Sequence, residues 1–159
     1  MLRRIGFAAL LVIVTACGGS DPSATLPDIT LERVDGDAAV DLGDLDGPAV
    51  INLWATWCAP CRREIPDLET FHRDLGDAVD VIGINIGDEP DQITNFLNDL
   101  DEPAVTYTQL VDPLADVADH LGSSTLPVTV VVANGQIVER HDGPITADEL
   151  NDLIAPHLG

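Results

Sequence analysis

Apolar residues in this chain occur both in short continuous runs and at helical spacing, and the two patterns alternate. The continuous runs are rich in Val and Ile, which is typical of buried strands, and they cover residues 50–54, 79–86, 105–111 and 128–133. Helical spacing and helix-start signals predict helices over 61–75, 91–100, 113–121 and from Thr146 onward. Because successive parallel strands need a crossover between them, the alternation predicts a βαβ arrangement in an α/β domain.

Two turn motifs predict β-hairpins, one before the first buried strand and one after the last. The first motif is Asp35-Gly36-Asp37 and the second is Asn134-Gly135. Asn-Gly favours a tight type I′ turn because both residues tolerate a positive φ. The strands that these motifs join are 29–34 with 38–42, and 128–133 with 136–141.

The composition indicates one globular domain and argues against a nucleic-acid partner. The chain has 159 residues, of which 45% are hydrophobic, enough for one domain with a substantial core. Its net charge is −21, from 28 acidic residues against 7 basic ones, and every basic residue is Arg. A surface this acidic repels a phosphate backbone. We expect a monomer that does not bind nucleic acid.

The N-terminal residues predict export and a lipid anchor. Arg3 and Arg4 precede a ten-residue apolar stretch, 5–14, which is too short to span a bilayer and is typical of a secretory signal. The stretch ends in Val-Thr-Ala-Cys17, which resembles the cleavage box of bacterial lipoproteins, where the cysteine is lipidated. An ordinary signal peptide or an uncleaved anchor is the alternative. The predicted organisation is a signal peptide over 1–16, a tether anchored at Cys17 over 17–27 and a folded domain over 28–159.

Two of the three cysteines, Cys58 and Cys61, lie where a predicted strand ends and a helix begins. Pro60 suits the first turn of that helix, because the amide it lacks would have no partner there. Free amides and the helix dipole stabilise an anion at this position, so we expect the pKa of the Cys58 thiol to fall below its ordinary value. Cys61, one turn further on, could then resolve a mixed disulfide formed at Cys58. Such a pair carries two electrons without a metal or an organic cofactor.

Other uses of the pair are a structural disulfide and half of a zinc site. Structural bridges rarely sit at the start of a helix behind a strand. A zinc site needs further ligands, and the sequence offers no second Cys-x-x-Cys and no pair of His at ligand spacing. Redox exchange is therefore favoured over both.

Trp57-Cys58-Ala59-Pro60-Cys61 at this junction resembles the active-site motif of the thioredoxin superfamily. The longer run 53–66, Leu-Trp-Ala-Thr-Trp-Cys-Ala-Pro-Cys-Arg-Arg-Glu-Ile-Pro, resembles the membrane-anchored extracytoplasmic proteins of the TlpA/ResA type. The resemblance implies a thioredoxin-like α/β fold, with a central mixed sheet flanked by helices and an N-terminal β-hairpin. It also implies thiol–disulfide exchange with protein partners and a membrane protein as electron donor.

The resemblance assigns roles to residues around the pair. In ResA-like proteins a glutamate at the position of Glu64 lies under the dithiol, where it would raise the thiol pKa and could relay protons. The spacing alone is equally compatible with an exposed glutamate in the first helical turn. Pro127 resembles the family's cis-proline, beside which the backbone of Leu126 would pair with an extended substrate. A trans proline at a strand's start is the alternative.

Trp57 and Pro60 complete the predicted substrate-binding set with Leu126 and Pro127. We interpret Trp57 as a packing residue first, which could also line the groove for a partner chain. Arg62, Arg63 and Arg73 in the same helix are interpreted as a solvated face, with a positive patch that attracts acidic partners as the alternative.

The direction of exchange is open at this point. Related proteins are commonly reductants, for instance of apocytochrome c, whereas some related lipoproteins form disulfides. The Ala-Pro dipeptide lacks the His found between the cysteines of many strong oxidants, which slightly favours a reductant. A peroxidase is disfavoured because Ala55 stands where its Thr-x-x-Cys motif needs Thr. A copper-delivery module of the Sco type would use Cys-x-x-x-Cys, one residue longer than the spacing here.

Overall fold

The computed structural model describes residues 25–100 and 104–158. The predicted signal peptide, the lipidation site at Cys17 and most of the predicted tether lie outside these residues. The last residues of the predicted tether, 25–27, pack on the domain, because Leu26 is buried in its core cluster and the Thr25 carbonyl lies 2.9 Å from Nε2 of His120.

The described chain forms one seven-stranded mixed sheet, as the resemblance implied. Its strands are β1 (Thr30–Arg33), β2 (Val40–Asp41), β3 (Ala49–Trp54), β4 (Asp80–Ile86), β5 (Thr108–Asp112), β6 (Val128–Ala133) and β7 (Gln136–Asp142), in the spatial order β2-β1-β5-β4-β3-β6-β7. β3, β4 and β5 are parallel, and all other pairings are antiparallel. β1 and β2 form the predicted N-terminal hairpin at one edge, which joins the sheet through β5.

In the described ranges four α-helices flank the sheet: α1 (Ala59–Leu75), α2 (Pro90–Asn98), α3 (Asp116–His120) and α4 (Ala147–Ile154). The predicted type I′ turn is present, with φ of 53° at Asn134 and 69° at Gly135. The predicted capping box is present too, because the Thr146 side chain accepts from the Glu149 amide and the Glu149 side chain accepts from the Thr146 amide. Local sequence chemistry therefore determined these boundaries.

The largest differences from the predicted boundaries are at the starts of α3 and β5, each three residues later than predicted. The helix predicted over 113–121 is shorter, because Ala115 adopts left-handed backbone and the carboxylate of Asp112 accepts the amides of Asp116 and Val117, so the helix begins at Asp116. The strand predicted from Val105 begins at Thr108, where pairing with β4 starts.

β3 is buried on both faces, which explains its continuous apolar pattern. Ile51 lies in the core cluster on the side of α3 and the hairpin, whereas Val50 lies in the cluster that contains Leu68 of α1 and Leu150 of α4. Asn52 shares the face of Val50, because side chains alternate along a strand. A polar side chain therefore enters the space beneath α1, close to the carboxyl end of β3.

Candidate active site

Cys58 and Cys61 form a disulfide, with 2.03 Å between the sulfur atoms. Cys58 is the N-cap of α1, and the Cys61 amide donates to its Sγ at 3.3 Å. Pro60 occupies the first turn, as predicted. Cys58 is 5% exposed and Cys61 is fully buried, so an attacking or attacked partner sulfur reaches Cys58 first.

The turn that leads into Cys58 is fixed at two points. The Cys58 amide donates to the Ala55 carbonyl at 3.1 Å, and the Thr56 amide donates to Oδ2 of Asp88 at 2.7 Å. Asp88 is itself buried, and it accepts a second hydrogen bond from the Asn85 side chain. The carboxyl end of β4 therefore holds the turn that follows β3. The sequence analysis did not single out Asp88, whose only signal was its place directly after a buried strand.

Trp57 projects from this fixed turn into solvent with 69% of its surface exposed, so the expectation that it is mainly a packing residue was wrong. Trp54, three residues earlier, is the packing residue, because it is fully buried and donates its indole N–H to Gln109.

The Leu126–Pro127 peptide bond is cis, as the resemblance implied. Leu126 is partly buried and packs against the apolar cluster that contains Cys58, Cys61 and Trp54. The fold thus brings the loop before β6 to the dithiol, although 65 positions separate Leu126 from Cys61 in the sequence.

Glu64 is buried, with 2% of its surface exposed, which removes the interpretation of an exposed first-turn glutamate. Burial raises the pKa of this carboxyl from 4.5 to about 7, even though it accepts hydrogen bonds from Asn52 Nδ2 at 2.9 Å and from the Ile145 amide at 3.0 Å. The carboxylate of Asp67 adds to the rise in pKa. Glu64 therefore exchanges its proton near neutral pH, one helical turn after Cys61.

The partners of Glu64 connect it to the proline loop. Asn52 Nδ2 also donates to Oγ1 of Thr129 at 3.1 Å, and Thr129 lies two residues after Pro127. Asn52 Oδ1 is buried with no hydrogen-bond partner in the part of the chain that the structure describes. The sequence analysis missed Asn52 and Thr129, and the signal for Asn52 was a polar residue inside a continuous apolar strand.

The described residues contain neither a cluster of metal-binding side chains nor a helix that could cross a membrane. Within 25–100 and 104–158, no group of three or more His, Cys, Asp or Glu side chains could hold a metal ion. In the same ranges no helix has both the length and the apolar character needed to cross a membrane.

Known proteins of similar sequence and structure carry out thiol chemistry. Residues 22–141 match the AhpC/TSA family. The thiol:disulfide interchange protein HelX of Rhodobacter capsulatus is 33% identical, over 99% of this chain and 97% of HelX. The thiol-disulfide oxidoreductase ResA of Bacillus subtilis is 28% identical, over 97% of this chain and 86% of ResA.

A solved structure agrees with this assignment. A DsbF homologue from Corynebacterium diphtheriae superimposes with a TM-score of 0.72 at 33% identity, covering 83% of this chain and 85% of that one. The chain therefore belongs to the AhpC/TSA family, with a thioredoxin-like fold, and is a thiol-disulfide oxidoreductase of the type that includes ResA and HelX.

Proposed function

We propose that this oxidoreductase reduces disulfide bonds of protein partners outside the cytoplasm, in a role such as cytochrome c maturation. The observation that carries the proposal is the arrangement at the start of α1. There the more accessible sulfur, that of Cys58, accepts a helix N-terminal amide, and Glu64 is buried one turn beyond the pair. The similarity to HelX, a thiol:disulfide interchange protein, and to ResA, a thiol-disulfide oxidoreductase, supports thiol–disulfide exchange as the reaction class.

The proposed cycle starts from the reduced pair. The Cys58 thiolate attacks one sulfur of the partner's disulfide, forms a mixed disulfide and releases the other partner sulfur as a thiolate, which takes up a proton. Cys61, as a thiolate, then attacks the Cys58 sulfur and releases the second partner thiol. The partner gains two electrons and two protons, and the protein is left with the Cys58–Cys61 disulfide. A dithiol on a membrane electron-donor protein would return the two electrons by the same exchange in reverse.

We assign substrate contact to the surface around Cys58. Trp57 offers an exposed aromatic face, Pro60 lies in the first helical turn, and Leu126 packs against the sulfur cluster. An extended partner segment would pair with the backbone of Leu126 beside Pro127, which is a form of β-strand addition. No metal or organic cofactor enters this cycle.

Glu64 would tune the dithiol and handle its protons. A carboxyl with a pKa of about 7 can accept the Cys61 proton while the mixed disulfide is resolved and can return it when the pair is reduced again. When it is ionised, its negative charge opposes ionisation of the buried Cys61 thiol.

The location of this activity is proposed from the N-terminal sequence. The motif Val14-Thr15-Ala16-Cys17 supports lipidation at Cys17 on the extracytoplasmic face of a bacterial membrane. The ten tether residues after Cys17, 18–27, span at most about 35 Å, so the domain would work close to that surface as a monomer.

Trapping with a cysteine variant tests the assignment of the two sulfurs. We expect Cys61→Ser to accumulate a mixed disulfide between Cys58 and a protein substrate, because the resolving thiol is missing. Cys58→Ser should form no such adduct and should lose turnover of protein disulfides. Adducts that form only with Cys58→Ser would reverse the assignment.

The reduction potential of the Cys58/Cys61 couple tests whether the protein reduces or forms disulfides in its partners. Trp fluorescence in thiol buffers should report a value near or below about −270 mV, as in thioredoxin. A value near about −120 mV, as in strong oxidants, would replace the proposed reductant by a disulfide-forming oxidase.

The pH profile tests the role of Glu64. Substrate reduction should show an inflection near pH 7 that Glu64→Gln abolishes and Asp67→Asn retains, because burial raises the pKa of Glu64 to about 7. An unchanged inflection in Glu64→Gln would remove Glu64 from the proton-handling role.

A further inference from the structure

The five arginines of the described residues divide into two groups. Arg33, Arg73 and Arg140 each form an ion pair with a carboxylate, with nitrogen–oxygen distances of 2.5, 2.6 and 2.8 Å. Arg62 and Arg63 form no ion pair with any carboxylate in 25–100 or 104–158, although the chain has 28 acidic residues. The two arginines without a carboxylate follow Cys61 directly in the sequence.

Both side chains are exposed but held near the dithiol. The Arg62 guanidinium lies 5.2 Å from the ring centroid of Phe96, whose ring is 5.5 Å from that of buried Trp54. Arg63 donates to the carbonyl of Ala59 at 3.2 Å, within the first turn of α1. These contacts use the flat face of one guanidinium and one N–H of the other, so most of their donors remain available to an external group.

Asp67, one turn after Arg63, is the carboxylate that helical spacing would offer as its partner. Its Oδ1 instead accepts from the Ala147 amide at 3.5 Å, and it forms no ion pair with Arg63. The fold thus directs the neighbouring carboxylate toward α4 and leaves Arg62 and Arg63 beside Cys61 without an ion pair to any described carboxylate.

We propose that Arg62 and Arg63 form a docking site for acidic side chains on the partner segment that carries the disulfide. This inference rests on the proposed exchange with protein disulfides and names the chemistry of the segment, which is Asp or Glu within a few residues of the attacked cysteine. The guanidinium fork matches a carboxylate geometrically. Exposed Trp57 supplies apolar contact on the turn next to the pair.

Because the whole chain is strongly acidic, Arg62 and Arg63 would decide which partner segments bind near the dithiol. A net charge of −21 repels an acidic partner at long range, so attraction at the two arginines selects segments whose acidic residues can reach them. The expected signature is a preference that depends on ionic strength, since exposed charges are screened within about 8 Å at physiological salt.

Two disulfide peptides provide the test. They have the same cyclic sequence, with two Asp beside one cysteine in the first peptide and two Asn in the second. The full-length reduced protein is mixed with each peptide, and the bimolecular rate of its oxidation is followed by Trp fluorescence. We expect a roughly tenfold preference for the Asp peptide at low salt, falling to near unity at about 0.5 M NaCl.

Matched variants test whether Arg62 and Arg63 cause the preference for the Asp peptide. Arg62→Gln/Arg63→Gln should lose it while reducing the Asn peptide at the wild-type rate. Arg33→Gln, which removes one positive charge that is already paired with Asp35, should retain it. If the double variant slows both peptides equally, the arginines act on the thiolate and not on docking, and the proposal is overturned.

A third substrate, the neutral bis(2-hydroxyethyl) disulfide, separates this inference from the proposed function. If the protein reduces this neutral disulfide but shows no preference between the two peptides, the docking site alone is overturned. Failure to reduce any of the three disulfides would overturn the reductase itself.

Discussion

Two buried glutamates on α1, five residues apart, have pKa values shifted in opposite directions. Glu64 near the dithiol and Glu69 in the middle of the helix are 2% and 0% exposed. Burial acts on both carboxyls in the same sense, since it raises the pKa by disfavouring the charged form. The pKa of Glu64 is raised to about 7, whereas that of Glu69 is lowered below its ordinary value.

The difference lies in the partners. Glu69 accepts from the Thr106 amide and the Thr106 hydroxyl, both at 2.7 Å, and from Nε of Arg73 at 2.6 Å. Together these outweigh the effect of burial. Glu64 has one amide side chain and one backbone amide as donors and no ion pair with a described cation. One helix therefore holds a structural carboxylate that stays ionised and another that can exchange a proton at neutral pH.

Removal of the structural carboxylate should have the largest effect on stability. We expect Glu69→Ala to lower the free energy of unfolding by about 3 kcal/mol at pH 7, because Thr106 and Arg73 lose a charged acceptor. Urea unfolding of the oxidised protein measures it. Asp74→Ala, at an exposed carboxylate of the same helix, is the control and should change stability by less than about 0.5 kcal/mol. Equal effects of the two variants would deny Glu69 its structural role.

Substitution of Glu64 is expected to raise the free energy of unfolding, whereas substitution of Glu69 lowers it. A carboxyl whose folded pKa is raised loses stability as pH rises, because the unfolded state gives up its proton from about 4.5 while the folded state retains it to about 7. Glu64→Gln should therefore raise the free energy of unfolding by about 2 kcal/mol at pH 8. The gain should vanish below pH 4.5, where the carboxyl is protonated in both states. Denaturant unfolding at pH 4.5 and pH 8 measures it, and a gain that is equal at both pH values would contradict the raised pKa.

A third buried carboxylate, Asp88, extends the comparison to the dithiol end of the sheet. Asp88→Ala leaves the Thr56 amide and the Asn85 side chain without their acceptor. We expect a loss of about 1.5 kcal/mol in unfolding free energy and slower reduction of protein substrates, because the turn that presents Trp57 is released. Asp88→Asn keeps an acceptor oxygen and should recover most of both properties. If Asp88→Asn recovers neither the stability nor the rate, the negative charge of Asp88 and not its hydrogen bonds to the turn is responsible.

The smallest change in the free energy of unfolding is expected for Arg73, the solvent-exposed partner of Glu69. The Arg73 side chain is 50% exposed, so its pair with Glu69 is screened. We expect Arg73→Gln to cost about 0.5–1 kcal/mol and to raise the pKa of Glu69, as measured by NMR titration of the carboxyl carbon. A cost as large as that of Glu69→Ala would assign the stability to the ion pair and not to Thr106.

Local patterns were sufficient for much of the fold. The Asn134-Gly135 turn, the Thr146 capping box and three of the continuous apolar strands, 50–54, 79–86 and 128–133, form as predicted, because each depends on residues a few positions apart. The cis bond at Pro127 was predicted from the family resemblance alone. The helix predicted from Pro113 begins at Asp116 instead, because the start of α3 depends on the side chain of Asp112, which a strand pattern does not reveal.

The sequence by itself determined the dithiol, its place at the start of a helix and the class of chemistry, because two cysteines at this spacing after a strand define their own geometry. Only the tertiary structure decided the state of the carboxyls. Glu64 and Glu69 are identical residues in one helix, and their donors come from positions far apart in the chain, at Asn52 and Ile145 for the first and at Thr106 for the second. A pKa depends on what surrounds a group in space, and that environment forms only when the strands and loops assemble around α1.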